Sequence, residues 1–95
     1  ESWHNMEYYA EQCFLSVSRF EHVFREITGM SPNKYLMNLR INKAKEMLRY
    51  TGKRSSEVSV EVGYKDPHYF SYLFKKTQGM TPTAYRNLKV DTEDA

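Results

Sequence analysis

Apolar side chains recur every three to four positions along most of this chain. That spacing lines one face of an α-helix. Met6, Tyr9, Ala10 and Cys13 predict a short helix over 5–13, with Cys13 as an inert thiol on its inner face. Phe20, Val23, Phe24 and Ile27 predict an inner face over 17–28; Phe70, Leu73, Phe74 and Thr77 predict another over 67–78. A long helix is expected over 32–50. Short ones are expected over 56–62, with Val58 and Val62 inward and Ser55 or Ser56 as cap, and over 82–88. The class is all-α.

Turn-forming residues agree with these limits. Gly29, Gly52 and Gly79 each follow a helical segment, where a left-handed C-terminal cap is expected. Pro32, Pro67 and Pro82 each follow a side chain that can accept bonds from free helix N–H groups: Ser31, Asp66 and Thr81. Gly63 reads as a tight turn between two helices.

The same order of signals occurs twice. At an offset of 50, Phe20 falls on Phe70, Phe24 on Phe74, Gly29-Met30 on Gly79-Met80, Pro32 on Pro82 and Tyr35 on Tyr85. Upstream the offset is 49, so Ala10 falls on Ser59 and Cys13 on Val62. Each copy reads as short helix, turn, longer helix: a helix-turn-helix. Ala10 and Ser59 are small, as a close helix crossing requires. In the long helix, Tyr35, Leu36, Met37, Leu39, Ile41, Ala44, Met47 and Leu48 cover about two thirds of the circumference. That width suits a connector packed against both copies. Lys34, Asn38, Asn42, Lys45 and Arg49 fall on the remaining strip, and Arg40, near the middle of the apolar arc, is expected in a structural role.

The organisation expected is therefore one domain over 1–95, with a first unit at 5–31, a connector at 32–50, a second unit at 53–88 and a disordered tail at 89–95. Both units read as homeodomain-like. With 95 residues a second domain is not expected. The chain begins at Glu1 rather than Met, and we expect a piece of a longer protein.

Charge adds a partner. The net charge is only +2, but residues 1–33 carry two basic and five acidic side chains, whereas residues 34–89 carry twelve basic and four acidic. A stretch of +8 suits a polyanion, or a solvated helical surface. The single cysteine excludes an intrachain disulfide and a CxxC zinc site, and points to a reducing compartment. No apolar run reaches membrane length. The three histidines are dispersed, and no catalytic triad, His-Glu-x-x-His or glycine-rich phosphate loop is present. No enzyme, cofactor or metal is expected.

These motifs carry a family likeness: Ala10 to Phe20, Gly29-Met30-Ser31-Pro32, Tyr35-Leu36, Arg40-Ile41, Lys43-Ala44-Lys45 and Met47-Leu48. In the second copy they are Val62 to Asp66, Tyr69-Phe70-Ser71, Phe74-Lys75-Lys76, Gly79 to Pro82 and Tyr85-Arg86. Over about residues 6–87 the chain resembles the DNA-binding domain of the AraC/XylS family of bacterial transcription regulators. Phe14 stands where that family commonly has glycine, and Ser59 where it commonly has alanine. The helix that usually precedes the first unit is absent or reduced to residues 1–4, which should open the core near Trp3 or Tyr9; Trp3 is expected to plug it.

The resemblance implies a monomer that presents two recognition helices to successive major grooves of double-stranded DNA. A 19-residue connector is about 28 Å long, against a groove repeat of about 34 Å. The resemblance places base contacts at Val17, Ser18, Glu21, His22 and Arg25, and at Pro67, His68, Ser71 and Tyr72. Arg25 suits guanine or a phosphate, and Glu21 suits cytosine N4, the exclusion of wrong bases, or solvent. Val17 and Tyr72 suit a thymine methyl. His68 reads either a base or caps its helix. Tyr69 is expected to pack near Phe70 and the turn rather than to read a base. Arg54, Ser55, Lys65, Lys75 and Lys76 are candidates for phosphate. The resemblance further implies an N-terminal sensor domain outside this chain, contact with RNA polymerase and a bacterial cytoplasmic setting. The rival reading is a helical protein-interaction domain without DNA binding.

Overall fold

The computed structural model describes residues 4–88; Trp3 and the tail expected at 89–95 lie outside them. The described residues form six helices and no strand: α1 (Met6–Gln12), α2 (Val17–Thr28), α3 (Pro32–Tyr50), α4 (Ser55–Glu61), α5 (Pro67–Gln78) and α6 (Pro82–Asn87). Local chemistry explains the limits. The side chains of Asn5, Ser16, Asp66 and Thr81 accept the N–H groups of Tyr8, Arg19, His68 and Ala84. Gly29 (φ 82°) and Gly79 (φ 83°) take the left-handed conformation that ends α2 and α5.

Two helix ends differ from expectation. Gly52 is not left-handed. Thr51 ends α3 instead: its N–H and its Oγ1 both donate to the Met47 carbonyl, at 3.0 and 2.6 Å. Its Oγ1 then accepts the Lys53 N–H at 3.2 Å. Nor does Ser55 or Ser56 cap α4. Arg54 holds the cap position, because the Glu57 carboxylate reaches back to accept its N–H at 2.8 Å.

The chain divides into two compact units, Glu1–Arg40 and Ile41–Ala95. The division falls inside α3, so each half of that helix belongs to a different unit. In the second unit Phe70, Phe74, Val58 and Val62 are fully buried, together with Ile41, Ala44 and Leu48 of α3. Ser59 is buried among them, its hydroxyl donating to the Tyr64 carbonyl at 2.7 Å. The Tyr85 ring meets Phe74 edge-on at 5.6 Å and receives the Arg49 guanidinium at 5.3 Å. Arg49 also donates to the Tyr85 oxygen at 3.2 Å, so it is a packing residue rather than part of a solvated strip.

The first unit repeats the plan with less burial. Phe20, Phe24 and Tyr35 keep the equivalent ring contacts, at 5.8 and 5.4 Å, but α2 has no fully buried residue. An apolar cavity of about 200 Å³ lies among Met6, Tyr9, Phe20, Phe24, Leu36 and Leu39, at the place where the sequence suggests an opening beside Tyr9. Cys13 and Ile27 are exposed, against expectation. Cys13 is the C-cap of α1, as Val62 is of α4, but Val62 is buried and Cys13 is not. The counterpart of Ile27, Thr77, is also exposed and donates its hydroxyl to the Leu73 carbonyl at 2.8 Å.

Candidate nucleic-acid interface

Both turns between short and long helix are built alike. Leu15 N–H donates to the Ala10 carbonyl at 2.9 Å, and Tyr64 N–H donates to the Ser59 carbonyl at 2.9 Å. Phe14 N–H donates to Glu11, and Gly63 N–H to Val60, at 3.0 and 3.1 Å. Phe14 and Gly63 both have positive φ, at 59° and 101°. Lys65 is the extra residue of the second turn, inserted before the Asp66 cap.

These turns aim the N-terminal halves of α2 and α5 in the same sense relative to their own units. On α2, Val17, Ser18, Glu21, His22 and Arg25 share about 140° of arc, adjoining the side that carries the phenylalanines. Ser18, His22 and Arg25 are exposed; Val17 and Glu21 are half-buried. The His22 ring turns along the helix, its Nε2 at 3.4 Å from the Glu26 carboxylate. On α5, Pro67, His68, Ser71, Tyr72 and Lys75 occupy the matching arc. His68, Tyr72 and Lys75 are exposed, Pro67 and Ser71 half-buried. The Asp66 carboxylate accepts the His68 N–H at 2.9 Å and is the N-cap of this helix.

The residues named for phosphate fall in two places of the second unit. Lys75 and Lys76 extend the α5 face toward its C-terminus. Arg54 and Ser55 open α4, and Lys65 sits in the turn. Arg54, Lys65, Lys75 and Lys76 are exposed, and Ser55 is half-buried. Among the described residues no group of three or more His, Cys, Asp or Glu side chains could hold a metal ion. No helix there is long and apolar enough to cross a membrane.

The model of a helix-turn-helix domain matches residues 9–88. The chain belongs to the AraC-type helix-turn-helix family. Among relatives of this AraC-type domain, the transcriptional activator RhaR of Pectobacterium atrosepticum is 38% identical over 87 residues, which are 92% of this chain and 31% of that protein. The chain thus spans about a third of that relative's length. The C-terminal domain of the response regulator yesN from Fusobacterium nucleatum superposes with a TM-score of 0.87 at 31% identity, covering 92% of this chain and 84% of the other. The DNA-binding domain of AdpA, solved with a target DNA, gives 0.84 at 27% identity, covering 90% and 77%. This AraC-type chain is a sequence-specific DNA-binding domain of transcription regulation.

Sequence reasoning missed two residues that shape the second unit: Arg86 reaches the loop after α3 and Arg49 braces Tyr85. Tyr69 meets Tyr64 of the turn, as expected, and is also half-exposed beside Tyr72. The arginine contacts span 36 and 38 positions, so no local pattern announces them. The place of Tyr69 beside Tyr72 follows from their i, i+3 spacing.

Proposed function

We propose that α2 and α5 are recognition helices, each lying in its own stretch of major groove. Val17, Ser18, Glu21, His22 and Arg25 read bases for the first unit; Pro67, His68, Ser71 and Tyr72 read them for the second. Arg54, Ser55, Lys65, Lys75 and Lys76 contact phosphates and supply the sequence-independent affinity. One observation carries this reading: the same polar arc recurs on both helices, set by matching turns and backed by matching phenylalanines. The acidic first unit then contributes mainly specificity. His22 must leave Glu26 to reach a base edge, an exposed i, i+4 contact of small worth.

We further propose that the chain is the output domain of a longer bacterial activator. Its companion is an N-terminal sensor or receiver domain, it works in the cytoplasm, and it contacts RNA polymerase. RhaR, described as a transcriptional activator about three times as long as the matched stretch, and the response-regulator origin of yesN support this. The test is selection of bound duplexes from a random pool. Two separated blocks of preferred sequence are expected; salt-insensitive or sequence-indifferent binding would overturn the reading.

A further inference from the structure

The exposed arc of α5 is short of hydrogen-bonding readers. Arginine and lysine pair with guanine, asparagine and glutamine with adenine, in each case through two bonds or a charged one. None of these occupies the first two turns of α5, whose outward residues are Pro67, His68, Ser71 and Tyr72. The space is taken by aromatic surface. Tyr69 and Tyr72 are 52% and 58% exposed, and their rings stack at 6.5 Å with planes 26° apart. Tyr64 from the turn meets Tyr69 edge-on at 6.0 Å. On the other side the Lys76 ammonium lies 5.8 Å from the Tyr72 ring centre.

This row is ordered before any ligand arrives. Tyr72 is bracketed by the residues three before and four after it, which restricts its rotamers and lowers the entropy lost on contact. Two large rings left half in water at the entrance of a recognition helix offer an apolar surface to an apolar counterpart. In the major groove only one base edge offers it, the C5-methyl group of thymine. A 5-methylcytosine presents the same group.

We propose that the second unit reads C5-methylated pyrimidines by apolar contact with Tyr72, with Tyr69 as the positioning residue that holds its ring. The inference rests on the reading of α5 as a recognition helix. It deepens that reading by making the methyl group the feature recognised, extending it to 5-methylcytosine and giving Tyr69 the positioning role.

The experiment uses the whole 95-residue chain and the duplex it selects from a random pool. Each thymine is replaced in turn by deoxyuridine, which removes the methyl group and keeps every hydrogen bond. One or two replacements are expected to weaken binding about fourfold each, the worth of one buried methyl. At those positions 5-methylcytosine should bind better than cytosine. Tyr72→Ala should abolish the thymine-to-uridine ratio, Tyr72→Phe should keep it, and Tyr69→Ala should reduce it while leaving the salt slope unchanged. Circular dichroism confirms that each variant is folded. A selected duplex without thymine or with every uridine tolerated overturns the proposal, as does a ratio indifferent to Tyr72→Ala. A chain that selects no sequence at all removes the recognition-helix reading itself.

Discussion

Arg86 of α6 donates its Nε–H to the carbonyl oxygen of Leu48 in the last turn of α3, at 3.0 Å. Its Nη2 also donates to the carbonyls of Thr51, at 3.3 Å, and of Lys53. The final carbonyls of a helix have no partner within the helix. Met47 is served by Thr51 and Leu48 by Arg86, so one guanidinium closes both the helix and the loop that leads to α4. Arg86→Ala should lower stability by about 2–4 kcal/mol, because hydrogen bonds from a charged group are each worth roughly 1.5–3 kcal/mol and are only partly additive. Arg86→Lys should recover less than half, since an ammonium lacks the planar fork. Urea unfolding measures both.

Phe14 holds a left-handed backbone, φ 59°, with its side chain 94% exposed. A residue with a Cβ pays roughly 1–2 kcal/mol there, and glycine does not, although glycine loses more entropy on folding. Phe14→Gly should therefore stabilise the chain by about 0.5–1 kcal/mol. Phe14→Ala removes the same exposed ring but keeps the strain and should gain nothing. A thermal melt of the three proteins decides this.

The two units should differ in stability. Phe70 is fully buried, and Phe70→Ala should cost about 3–5 kcal/mol. Phe20 is half-buried and already borders an open apolar cavity, so Phe20→Ala should cost less than half of that. Hydrogen exchange should show the same order, with amides of α2 exchanging faster than those of α5. Equal protection of the two helices would contradict the packing difference.

Charge predicts a further inequality, in binding. Lys75→Ala should reduce the slope of log K against log salt by about one unit, the signature of one phosphate contact. Arg25→Ala, in the acidic first unit, should change which duplexes are preferred and leave most of the slope. Equal losses of slope would exclude a division of labour between the units.

Much of the fold is legible in the order of residues. Ser31, Asp66 and Thr81 start helices at the expected positions, and Gly29 and Gly79 stop them, because capping is a matter of a few adjacent atoms. The duplicated spacing of Phe20 and Phe24 with Phe70 and Phe74 is equally plain, since helical period alone puts each pair on one face. The candidate reading faces follow from the same periodicity. Where the expected helix ends fail, a competing local bond wins. Thr51 satisfies the Met47 carbonyl twice over, which leaves Gly52 no capping role. Glu57 reaches the Arg54 amide, which moves the start of α4.

The sequence by itself determined the six helices, their order and the two-fold repetition of a helix-turn-helix, because caps, turns and apolar period act within a few residues. Tertiary structure alone decided how well each copy is filled. Identical phenylalanine spacing yields a sealed core around Phe70 and Phe74, where Ile41, Ala44 and Leu48 are buried with them, and a cavity beside Phe20 and Phe24. It also decided that Arg86 and Arg49 brace the second unit. Burial and long-range hydrogen bonds depend on what the rest of the chain brings to a side chain, and no periodicity within one helix carries that information.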